Sequence, residues 1–80
     1  MARVTLLTRP GCHLCDDART VVAAVVAGVP GSSSEERSIE DDPALLAAYT
    51  DDVAVVLIDG RGHARWRIAA AALRAALGAP

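Results

Sequence analysis

The chain has no lysine and no phenylalanine, and among its 80 residues only one tryptophan, one tyrosine and two cysteines. Each scarcity excludes something. Eight arginines against ten acidic residues leave a net charge of −2, so no electrostatic surface for nucleic acid is expected. With so few aromatics, the core must be built from valine, leucine, isoleucine and alanine. No apolar run approaches the ~18 residues that a membrane span needs, and no charged-then-apolar leader opens the sequence. A cytoplasmic protein without a membrane partner is the expectation. At this length the chain reads as one domain, residues 1–80, burying somewhat over ~60% of its unfolded surface and stable by a modest margin. No internal repeat is present.

Two cysteines are too few for a disulfide framework, and their placement says more than their number. Both lie in Arg9-Pro10-Gly11-Cys12-His13-Leu14-Cys15-Asp16-Asp17, between an apolar run from Val4 to Leu7 and a helical pattern from Ala18 to Ala27. In a reducing cytosol such a pair is more often catalytic or metal-binding than structural. As a staple it would contribute only roughly 2 kcal/mol in the chain-entropy picture. A helix beginning at or just after Cys12 would place that sulfur beside amide hydrogens lacking partners inside the helix. Those amides and the helix dipole favour thiolate over thiol, and Arg9 adds to this, while Asp16 and Asp17 oppose it. Cys15 follows one turn later on the same side, within reach of a mixed disulfide formed at Cys12. The spacing therefore assigns Cys12 as nucleophile and Cys15 as resolving thiol.

The remaining chain supplies a scaffold. Arg3 to Thr8 reads as a strand covered on both faces. Leu14, Ala18, Val21/Val22 and Val25 recur at helical spacing, and Gly28 stands just past the helix end. Pro30 to Ser34 is a loop, and Glu35 to Ile39 a short polar edge strand. Asp42-Pro43 reads as N-cap and first residue of a helix running from Ala44 to Tyr49. Val53 to Ile58 is a second fully apolar strand, followed by a turn at Asp59-Gly60-Arg61-Gly62. His63 to Arg67 alternates as a half-exposed strand should, with Trp66 packing under a helix. Ala69 to Leu77 forms the last helix. The order β-α-β-α-β-β-α, with a right-handed crossover between the first two strands, gives an α/β fold: a four-stranded mixed sheet flanked by helices.

With this order and the Cys-x-x-Cys pair at the first helix, the chain resembles the thioredoxin superfamily, and its glutaredoxin branch most in length. Thr8 to Ala18 and Val55-Val56-Leu57-Ile58-Asp59-Gly60 are similar to small bacterial glutaredoxin-like proteins. The resemblance implies thiol–disulfide exchange on a disulfide-containing protein or a small thiol such as glutathione, which would also serve as reductant, by a monomer with no bound cofactor. Arg9 falls where glutaredoxins often carry a basic residue that helps bind glutathione. The backbone of Val53 corresponds to the one that pairs with substrate, and Ala54 replaces the usual cis-proline facing the cysteines. Because a cis bond before a non-proline residue costs about 2.5–4 kcal/mol, a trans Val53–Ala54 bond and a reshaped groove are expected. The Gly-Gly and acidic pair that holds the γ-glutamyl end of glutathione in glutaredoxins has no counterpart at Asp59-Gly60.

Other residues keep two readings. His13 either tunes the sulfur as a protonated neighbour or is a solvated first-turn residue. Leu14 either contacts a partner or marks the edge of the core. The pair of thiolates also suits a metal ion or an iron–sulfur cluster shared with another chain, in a binding or assembly protein with no catalysis. A zinc site within one chain is not expected, since His13 lies inside the Cys pair and His63 stands alone.

Overall fold

A computed structural model describes residues 2–78. Strands β1 (Arg3–Thr8), β2 (Ser33–Ser38), β3 (Val55–Ile58) and β4 (Arg61–Arg65) alternate with helices α1 (His13–Ala27), α2 (Pro43–Tyr49) and α3 (Ala70–Ala76). A 3-10 turn over Ile39–Asp41 precedes α2. The sheet runs β2-β1-β3-β4, with β1 parallel to β2 and the other two pairings antiparallel. The order of elements along the chain and the mixed four-stranded sheet are those expected from the sequence.

The sheet divides the core in two. Val4, Leu6, Ala54 and Val56 face α1 and α3, meeting Cys15, Ala18, Val22, Val25, Ile68 and Leu73. Leu7 and Val55 face the other way onto Ile39, with Leu45, Tyr49 and Leu57 half-buried around them. An alternating central strand that is apolar on both sides produces this partition, since successive side chains point to opposite faces. The two buried hydroxyls of β1 are satisfied from β2: Thr5 donates to Glu35 at 3.2 Å and Thr8 to Glu36 at 3.4 Å. Arg19 of α1 grips the same Glu36 at 2.6 and 3.0 Å and Asp16 at 2.8 Å. It ties helix to edge strand and holds the Glu36 carboxyl below the usual carboxylate range.

Several boundaries differ from expectation, each for a physical reason. β2 starts at Ser33 and ends at Ser38 because backbone pairing to β1, not side-chain burial, makes it a strand. Ile39 leaves the strand and turns inward as a fully buried plug. The hairpin turn is only Asp59-Gly60, whose φ values of 51° and 83° give the mirror-image turn matching strand twist, so β4 begins at Arg61. A bulge against Val56/Leu57 then breaks the ladder.

Trp66 is not packed under a helix. β4 ends at Arg65, and Trp66 takes a left-handed backbone with φ 67° that turns the ring outward, 49% exposed. The Val53–Ala54 bond, expected trans, is cis. That expectation weighed the isolated amide alone. In the fold Ala54 is wholly enclosed by the core, and its carbonyl accepts the Trp66 N–H at 2.6 Å.

Candidate functional site

The loop Arg9-Pro10-Gly11 leaves the C-terminal end of β1 and turns into α1, with Gly11 at φ 74° where a side chain would be disfavoured. Cys12 is the N-cap of α1, in extended geometry (φ −95°, ψ 112°). Its Sγ accepts the Cys15 N–H at 3.1 Å, and its carbonyl accepts the Asp16 N–H at 3.3 Å. The sulfur thus occupies the place where a capping oxygen usually sits, and one otherwise unpartnered helix amide points at it.

The two sulfurs have different surroundings. Cys12 is half-buried, Cys15 is 1% exposed, and both are free thiols. Burial first, and the adjoining Cys12 second, push the Cys15 thiol up from 9.0 to about 11. Cys15 therefore keeps its proton at neutral pH while lying against the sulfur that meets solvent. This shift carries a stability consequence. The unfolded thiol ionises near 9.0 and the folded one near 11, so the contribution is complete below about pH 9 and lost as pH rises through 11. Denaturation midpoints of wild type and Cys15→Ala, compared from pH 8 upward, should show wild type losing on the order of 2 kcal/mol more than the variant. Parallel curves would contradict it.

In front of Cys12 lies a groove of about 290 Å³ lined by Arg9, Pro10, Gly11, Cys12, Thr50, Asp51 and Val53. Arg9 spans it, donating to the Thr50 carbonyl at 3.0 Å and so joining the cysteine loop to the end of α2. The ladder of β3 starts only at Val55, leaving the Val53 backbone outside it at the groove wall. Ala54 lies behind Val53 in the same buried cluster as Cys15.

Of the residues singled out from the sequence, Arg9, Cys12 and Val53 thus meet at one groove, with Cys15 and Ala54 enclosed beneath. His13 is exposed and Leu14 half-buried, and neither lines the groove. Thr50 joins the groove because α2 ends at Tyr49 opposite the cysteine loop, a long-range placement that no local pattern shows. Among the described residues no three His, Cys, Asp or Glu side chains come together as a metal site, so a metal held by the cysteine pair would need ligands from elsewhere.

The family model for the glutaredoxin-like domain (DUF836) matches residues 3–78. The chain belongs to this glutaredoxin-like family. Two solved structures of the Northeast Structural Genomics target protein XcR50 from X. campestris are similar to this glutaredoxin-like chain at 40% identity, each with a TM-score of 0.70. The X-ray structure aligns over 96% of this chain and 99% of that one, and the solution structure over 100% and 97%. Among curated proteins no match is found. Glutaredoxin-like membership and the Cys12/Cys15 spacing together fit a thiol redox domain.

Proposed function

We propose that this protein is a thiol–disulfide oxidoreductase with Cys12 as nucleophile and Cys15 as resolving thiol. The supporting observation is the asymmetry of the pair: Cys12 Sγ lies at a groove and accepts a helix amide, while Cys15 is buried and protonated behind it. In the first step the Cys12 thiolate attacks one sulfur of a substrate disulfide. A Cys12–substrate mixed disulfide forms, the substrate S–S bond breaks, and the departing thiolate takes a proton from solvent. In the second step Cys15 gives its proton to solvent and attacks Cys12 Sγ. The Cys12–Cys15 disulfide closes and the second substrate thiolate leaves. Two electrons pass from the dithiol to the substrate, and two equivalents of a thiol such as glutathione restore the dithiol, becoming one disulfide.

The substrate is a disulfide-containing protein or small disulfide, held against the Val53 backbone with Arg9 nearby. Such a protein needs no cofactor and acts as a monomer in the reducing cytoplasm, away from membrane and nucleic acid. The test is turnover: catalytic amounts of the protein should accelerate reduction of a disulfide-linked peptide pair by glutathione or dithiothreitol. No acceleration with either donor, together with co-purifying iron or zinc, would instead favour a metal- or cluster-binding role for the same thiolates.

A further inference from the structure

Trp66 is the more exposed of the two large hydrophobic side chains that meet solvent among the described residues. It is the sole tryptophan of the chain, about half exposed, and it sits at φ 67°, a backbone region that favours glycine and disfavours bulky side chains. Glycine there would spare the strain and expose no indole. Its location gives the reason. The Trp66 N–H is bonded at 2.6 Å to the carbonyl of Ala54, next to Val53 in the groove wall. Arg65 lies over the ring, 5.8 Å from its centroid, and pairs with Asp52 at 3.5 Å. The Trp66 backbone is thereby anchored to the Val53–Ala54 segment, with Arg65 over its ring.

Trp66 does not line the groove in front of Cys12. A small disulfide confined to the groove does not meet a residue outside its lining, whereas a polypeptide continuing past Val53 passes along Ala54, the residue whose carbonyl holds the Trp66 N–H. Resting on the oxidoreductase reading above, we infer that Trp66 is a recognition residue for polypeptide disulfides, covering an apolar side chain next to the substrate's reacting cysteine. An exposed indole offers a large contact area at small entropic cost. The Val53 backbone, outside the β3 ladder, suits an extended chain, as a strand edge does.

The test compares wild type with Trp66→Gly, a substitution that this backbone geometry accommodates, and Trp66→Phe as the conservative replacement. The probes are a disulfide-linked peptide pair with leucine beside each cysteine, the same pair with serine there, and oxidised glutathione. Preference for the leucine pair over oxidised glutathione, as a ratio of kcat/KM, should fall about tenfold or more in Trp66→Gly, through KM. Trp66→Phe should restore most of it. An unchanged ratio, or an equal loss on the leucine and serine pairs, would overturn the assignment. Binding is read separately from turnover by tryptophan emission of Cys12→Ser titrated with the leucine peptide. A saturable blue shift that the serine peptide does not produce supports the inference even if the protein turns over no disulfide. Absence of that shift refutes it even if turnover is found.

Discussion

Replacing Cys12 by serine is expected to lower disulfide reduction by at least about a hundredfold while leaving the protein folded. Both halves of that expectation come from the same position. Serine is among the best N-cap residues, and its hydroxyl can accept the Cys15 N–H now taken by Cys12 Sγ. The helix start is therefore preserved and stability should change by less than about 1 kcal/mol. What disappears is the nucleophile, since a serine hydroxyl stays protonated at any pH the fold tolerates and forms no mixed disulfide. A hundredfold loss corresponds to about 2.7 kcal/mol of transition-state stabilisation. Circular dichroism and the peptide-disulfide assay, run on the same preparation, separate the two effects. Retention of activity in a folded Cys12→Ser would remove Cys12 from the chemistry.

Leu73→Ala is expected to be the most damaging single core change for α3, at about 3 kcal/mol. The helix has seven residues, too few to be stable alone, and its N-cap, Ala69, offers no side-chain hydrogen bond. Packing must hold it. Leu73 is fully buried against the α1-facing side of the sheet, and only Ile68 among its near neighbours in sequence is comparably enclosed. In a domain with a total stability of about 5–15 kcal/mol, such a loss is a large fraction. At this size it should lower Tm by about 12 to 24 °C. A fall of only a few degrees in thermal unfolding would mean that α3 is held by something other than Leu73.

How much of this was legible in the sequence depended on whether the deciding interaction was local. β1 was readable because five consecutive residues, Val4 to Thr8, are buried and the apolar run says so. The start of α1 and the cap of α2 were readable because Gly11, Cys12, Asp42 and Pro43 act within one turn of themselves. β2 starts at Ser33, two residues before the polar stretch suggests, because all but its last residue are exposed and its limits are set by hydrogen bonds to β1. Trp66 was misplaced because simple alternation predicts an inward ring. A bulge and a left-handed residue, neither visible as periodicity, turn it out. The Val53–Ala54 geometry is likewise illegible in the dipeptide, since its surroundings come from Trp66 after β4 and from the core. The candidate site divides in the same way: the cysteine pair announces itself by spacing, whereas the Thr50 wall and the Arg9 bridge arise only when α2 ends opposite the cysteine loop.

Which sulfur meets the substrate first decides the proposed chemistry, and Cys15→Ser tests this directly. Incubated with a peptide disulfide, that variant should accumulate one covalently attached peptide, because nothing remains to resolve the adduct, and peptide mapping should place it on Cys12. A reduced Cys15→Ser that forms no adduct, set beside a Cys12→Ser that captures the peptide on Cys15, would reverse the roles and contradict the reading.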